Sequence, residues 1–245
     1  MTCFHRPPRH WRGFTLIELL VVVAIIAVLI GIALPVVGKL RSQGQLATSV
    51  NQLKQIGTAI NLYAGEHDFR FPVPSNMVQQ DNPDRTHWAQ QIARREEYLG
   101  PATTFIHQTL VAPDPGYEYP DGGFRDLDDT YLTYSASGTS CGILPGGSLD
   151  YTTARKLNEV KDPSASVLVF LARQRGAKDG YARTVHPNFS EIESDLGASS
   201  PEQTTVLNFA YNDAMPVLMA DGAVRAIRFH ERDLLTRERW EGRQP

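Results

Sequence analysis

The chain has 245 residues, of which 21% are charged and 42% hydrophobic, and a formal net charge of −3 at pH 7. That length holds one good-sized core, or one domain with an appendage. The balance excludes both a wholly disordered chain and a polytopic membrane protein. A charge so near neutral gives no reason to expect a nucleic-acid partner. Three of the basic residues, Arg6, Arg9 and Arg12, lie in the first 13 positions. Without them the 24 basic residues fall to 21 against 27 acidic, and the remainder carries −6. Of the two cysteines, Cys3 lies in the same short stretch, so its removal leaves Cys141 alone and no intramolecular disulfide.

Residues 14–37 follow that basic tail and, apart from Glu18, are an uncharged, strongly apolar run. As a helix these 24 residues span about 36 Å, enough for a hydrocarbon core of roughly 30 Å. The run exceeds the 7–15 residues of a typical secretory h-region. Lys39 and Arg41 follow it, and three arginines in front against two cations behind favour a cytoplasmic N-terminus, with the rest of the chain outside. A carboxylate inside a spanning helix is costly and marks a function with a partner. A cut after Gly13 creates an amine on Phe14, and Glu18 lies one helical turn from it, near enough for an ion pair within the chain or with a neighbouring copy.

The octapeptide GFTLIELL at positions 13–20 strongly resembles the class III signal of type IV pilins and type II secretion pseudopilins. The resemblance implies a precursor that a dedicated peptidase cuts after Gly13 and methylates on Phe14. It implies that Glu18 registers each subunit against its neighbour during filament assembly, and that Pro35 occupies the place of a kinking proline. The implied partners are other pilin-like subunits, the prepilin peptidase and the inner-membrane assembly machinery. The implied location is the inner membrane, single-pass, with a periplasmic head that later joins a periplasmic or extracellular filament. The bland reading of the same residues is a plain anchor whose glutamate snorkels to one interface.

The helical period continues beyond the apolar run. Leu46, Val50, Leu53, Ile56, Ile60 and Tyr63 form one apolar stripe, opposite Gln45, Thr48, Asn51, Gln52, Gln55, Thr58 and Asn61, with Lys54 the only charge there. Gly65 suits a C-cap. Residues 14–64 therefore read as one helix of roughly 75 Å, bent near Pro35, its second half against a head. The organisation expected is a leader at 1–13, a long helix at 14–65 with 14–37 transmembrane, and a head at 66–245.

The fold class expected is α+β, with an antiparallel sheet packed on the long helix. Residues 69–74 read as an extended entry, since prolines disfavour helix before them. Residues 86–99 read as a short helix with Trp88, Ile92 and Leu99 inward. Residues 112–150 read as Gly, Pro and Asp-rich loops around a strand at 130–135. SVLVFL at 166–171 is the clearest buried strand. Polar residues 179–200 read as a surface loop. Residues 216–229 form a hairpin, whose Asp221-Gly222 suits a type I′ turn, and 230–240 close as a short helix. NQLKQIG at 51–57 and MADGAV at 219–224 resemble a large pseudopilin-like family abundant in planctomycete and verrucomicrobial bacteria. In much of that family a histidine precedes the last Asp-Gly with nine residues between, where this chain has Tyr211. The place of a common Cys-Pro reads Val111-Ala112-Pro113 here.

Other chemistry is thinner. Gly138-Thr139-Ser140-Cys141-Gly142 matches G-x-S-x-G formally, but the nucleophile elbow needs a helix after it, and Ile143-Leu144-Pro145-Gly146-Gly147 does not start one. Asp121, Asp126, Asp128 and Asp129 lie in a glycine-containing loop that offers oxygens for calcium, as a head loop of major pseudopilins does, although the spacing is not an EF-hand and Arg125 interrupts it. No other cofactor is expected. The histidines are scattered, without zinc-ligand spacing. Arg225, Arg228 and Arg232 stand beside Glu231 and Asp233, a composition typical of surface ion pairs rather than DNA contacts. The reading that emerges is a structural filament subunit rather than an enzyme. The alternative is a membrane-tethered module that recognises a glycan or secreted substrate.

Overall fold

The computed structural model describes residues 16–72, 88–92, 98–99, 134–143, 145, 149–172 and 189–242. The chain divides into two compact units, Met1–Arg41 and Ser42–Pro245. One helix, α1 (Leu16–Glu66), begins in the first and ends in the second.

In the second unit, α1 carries the expected stripe. Leu53, Ile56, Ile60 and Tyr63 are buried, and Thr48, Asn51, Lys54, Gln55, Thr58 and Asn61 are exposed. Gly65 is not the cap, because the helix runs one residue beyond it. The left-handed residues that end the helix are Asp68 (φ 55°) and Phe69 (φ 56°). The Phe69 N–H reaches back to the Ala64 carbonyl at 2.8 Å, a six-residue closure of the kind that satisfies orphan helix carbonyls. Asp68 is held there by Lys156 at 2.5 Å, and that bond and the ammonium charge keep its carboxyl below the usual range. The turn then sends Phe71 into the core.

Four strands form an antiparallel sheet: β1 (Tyr134–Ala136), β4 (Val167–Leu171), β5 (Ala214–Met219) and β6 (Val224–Arg228), in the order β1-β4-β5-β6. Between β1 and β4, β2 (Cys141–Ile143) and β3 (Leu149–Ala154) make a separate two-stranded sheet. Every residue of β4 and β5 is buried, as a strand covered on both faces requires. Leu218 faces α1 at Gly57. One residue away the register pairs Val217 with Phe170, whose ring meets Trp240 edge-on at 4.6 Å on the other face.

Gly57 is required by that first contact. A Cβ there would lie 2.9 Å from Leu218 Cδ1 and 3.4 Å from Cδ2, and Leu218 is itself fully buried. Gly57→Val is expected to destabilise the head by about 2–3 kcal/mol, the cost of overpacking. Gly44, in the same helix with open space around it, should instead gain about 1 kcal/mol on Gly44→Ala. Thermal unfolding of the two detergent-solubilised variants reads both signs.

Several expectations change. The polar stretch 179–200 is not all surface loop: Phe189–Leu196 forms a helix, α3, with Ile192 and Asp195 buried. Among the described residues of the expected 86–99 helix, α2 covers Trp88–Gln90, and Trp88, Ile92 and Leu99 are buried as expected. The hairpin turn is not type I′. Only Gly222 has positive φ (86°); the Gly222 N–H bonds Met219 O at 3.0 Å, and the Met219 N–H bonds Ala223 O at 2.8 Å. This is a turn closed by a glycine bulge, the usual three-residue hairpin solution. Paired positive φ occurs instead at Asn212 (49°) and Asp213 (59°), between the mutually bonded Tyr211 and Ala214, and neither residue is glycine because Asn and Asp tolerate that conformation. The closing segment is two short helices, a 3-10 turn at Phe229–Leu234 and α4 (Arg237–Glu241), separated by the N-cap Thr236.

Candidate assembly segment and the residues around it

The candidate site is the first part of α1. From Leu16 to Leu40 its large apolar side chains stand exposed around the whole circumference, Leu16 at 79% and Leu34 at 68%. A window of mean hydropathy 3.2 has none of its residues buried. A helix apolar all round belongs in lipid or inside other protein. About 33 Å separates Leu16 from Val37 along such a helix, the thickness of a bilayer core. Glu18 is exposed and lies in the first turn, where the positive end of the helix dipole favours an anion. The helix assignment continues through Pro35. Gly13 and Phe14 lie outside the described residues, as do Asp121, Asp126, Asp128 and Asp129. No cluster of metal-binding side chains occurs among the described residues.

Ser140 is not presented as a nucleophile. It ends a buried 3-10 turn, Gly138–Ser140, its hydroxyl donates to Ser137 O at 2.9 Å, and β2 follows at once rather than a helix. Cys141, next to it, is buried as well. His230 is exposed, with Glu231 at 4.0 Å, and His67 stacks on Tyr63 at 3.9 Å. Of the arginine cluster, Arg232 is consumed internally. It donates to the carbonyls of Leu196, Ala198 and Phe229 and lies 4.2 Å over the Phe229 ring.

Tyr211 sits at the base of α1. The Ser49 hydroxyl donates to its phenol oxygen at 2.8 Å, and the Tyr134 hydroxyl reaches Gln52 Oε1 at 2.9 Å. Burial pushes the Tyr134 phenol far above its ordinary range, so it stays a neutral donor. These buried polar groups fix α1 against β1 and the 208–211 segment, where an apolar stripe alone would tolerate sliding. Ser49 carries no signal in the sequence, being one serine in a polar helix.

Two further buried polar residues were not legible. Arg155, fully buried, donates from Nε to Cys141 O at 2.9 Å and from Nη1 to Glu241 O at 2.5 Å and Gly242 O at 3.4 Å. It thus caps the C-terminus of α4, where a cation is favoured. Gly242 permits this: its φ is 62°, and a Cβ would lie 2.7 Å from Arg155 Nη1. Asp195 on α3 accepts from Thr205 N and Oγ1, Val206 N and Leu207 N at 2.6–2.9 Å.

Residues 12–34 match the family described as the prokaryotic N-terminal methylation motif. No curated protein and no solved structure matches the chain. The match takes in Glu18 and most of the exposed apolar part of α1, up to Leu34, and identifies a type IV pilin- or pseudopilin-like prepilin motif in an α+β chain.

Proposed function

We propose that the chain is a structural subunit of a type IV pilus-like or type II secretion pseudopilus filament. It is made as a precursor, anchored by residues 14–37 in the inner membrane with its head in the periplasm, cut after Gly13 and methylated on Phe14. The observation that carries this reading is the methylation motif at 12–34, which from Leu16 onward lies on a helix whose apolar residues are uncovered on every side. That surface is covered by lipid before assembly and by the same segment of other copies afterwards. Exchanging lipid for protein changes little hydrophobic energy, so register must come from a polar contact. Glu18 supplies it: the charge is costly in an apolar surrounding unless paired, and the amine of a neighbouring Phe14 is the counter-charge that processing creates. The peptidase and the inner-membrane assembly machinery are the other partners in this reading, and no catalytic step by the chain itself is required.

Intact-mass analysis and N-terminal sequencing of the membrane-extracted protein test processing. The expected mature chain begins at methylated Phe14, and a chain still starting at Met1 would reduce the motif to an anchor. Glu18→Ala then tests assembly. The processed, membrane-inserted variant should give no filament, whereas an anchored binding module would keep whatever it binds.

A further inference from the structure

Between Glu18 and Lys54 the only charges on α1 are Lys39 and Arg41. Both are exposed, as is Leu40 between them. Residues two apart on a helix point about 200° away from each other, so the two cations stand on opposite sides of it. They close the uncovered apolar run, and Ser42, Gln43, Gly44 and Gln45 after them are uncharged and polar or small. Lys39 lies 21 residues beyond Glu18, about 31 Å along the helix, which is the thickness of a hydrocarbon core. With Glu18 at one boundary of that core, the two cations stand at the other. The charge balance changes sign here. Residues 14–41 carry +1, from Lys39 and Arg41 against Glu18, so of the −6 borne by residues 14–245 the part after Arg41 carries −7.

We infer that Lys39 and Arg41 form a collar that binds the phosphate groups of anionic phospholipids at the boundary opposite Glu18. This rests on the membrane-anchor part of the proposed function and not on filament assembly. The long stems lie along the end of the apolar surface while ammonium and guanidinium reach the headgroups. The guanidinium grips a phosphate with two donors, and the ammonium acts as a point charge. A zwitterionic headgroup offers the same phosphate but brings its own cation, so the collar selects lipids of net negative charge. The occupant is lipid rather than a dissolved anion, because the cations ring a helix that is apolar up to their position and the acidic remainder of the chain repels free anions. The contact fixes depth. It holds α1 so that Glu18 stays at the other boundary, where its partner must meet it.

The full-length chain, reconstituted in vesicles of equal phosphatidylcholine and phosphatidylglycerol, tests the inference when its retained lipids are read by native mass spectrometry. Lys39→Gln with Arg41→Gln is expected to lower the retained ratio of phosphatidylglycerol to phosphatidylcholine about tenfold. That is a change of about 1.4 kcal/mol, within what two cations near an anionic surface supply. Arg6, Arg9 and Arg12 stay in both chains, so the difference reads the collar alone. Lys39→Arg with Arg41→Lys keeps both charges and should hold the ratio within about twofold of wild type. A ratio unchanged in the glutamine variant, or lost in the charge-preserving exchange, overturns the inference. So does displacement of the bound phosphatidylglycerol by excess inorganic phosphate, which would mark a site for free anions. A wild-type chain released from the vesicles by an alkaline carbonate wash would instead overturn the anchor reading itself.

Discussion

Arg155→Met is expected to cost the head about 3–5 kcal/mol, since hydrogen bonds from a charged donor contribute about 1.5–3 kcal/mol each and their loss strands buried carbonyls. The guanidinium serves Cys141 O at the start of β2 and the last carbonyls of α4. The backbone of the same residue donates to Ser140 O and accepts from Phe71 N. Three distant segments therefore meet at one residue, two of them on its side chain, and methionine, of similar volume, replaces the packing while removing every side-chain donor. In a unit of this size the loss should lower the unfolding midpoint by roughly 10 °C or more. Arg155→Lys should recover only part of it, because one ammonium cannot reproduce a planar fork that spans two sites. Differential scanning calorimetry of the detergent-solubilised protein measures both. A midpoint for Arg155→Met within about 2 °C of wild type would show that α4 docks through Trp240 alone.

The Asp195→Ala variant should lose about 4 kcal/mol, by the same principle acting on an acceptor. Two carboxylate oxygens take four hydrogen bonds, three of them from consecutive backbone amides, 205–207. Those amides shape the segment that delivers Leu207 and Phe209 into the core. Asp195→Asn keeps the size but turns an NH2 group toward donors, so it too should lose about 2–3 kcal/mol. The aspartate lies near the C-terminal end of α3, where the helix dipole disfavours an anion. Its place there is explained by the loop it organises rather than by the helix. Hydrogen exchange at Val206 and Leu207 locates the effect. Amides that open in the variant while β4 stays protected would confirm a local anchor, and uniform protection throughout would refute it.

How far the sequence speaks depends on whether a property is set by neighbours along the chain or by contacts across it. The long apolar run, the methylation motif, the apolar stripe of α1 and the buried strand at Val167–Leu171 are local patterns, and each was legible because hydropathy, period and motif lie within a single window. The central strands announced themselves for the same reason, since burial on both faces leaves no alternation to misread. Failure came where the partner is remote. Residues 189–196 look like polar loop because half their helix is solvated, and only packing of Ile192 and Asp195 reveals which side is inward. The turn at Asp221-Gly222 has a type I′ composition, yet the amide bonds of Ala220 and Asp221 to Ser166 and Pro163 tie it to the foot of β4, and a bulge results.

Arg155, Asp195 and Ser49 make the same point more sharply. By residue type each belongs on a surface, and burial becomes affordable only when several distant carbonyls, amides or a phenol converge on it. What the amino-acid order determined by itself is the character of residues 1–37: a basic stretch, a methylation motif, and a helix apolar on every side. What only the tertiary structure decided is which polar groups lock the second half of that helix to the head, because hydrogen bonds between segments a hundred residues apart leave no periodic trace in the chain.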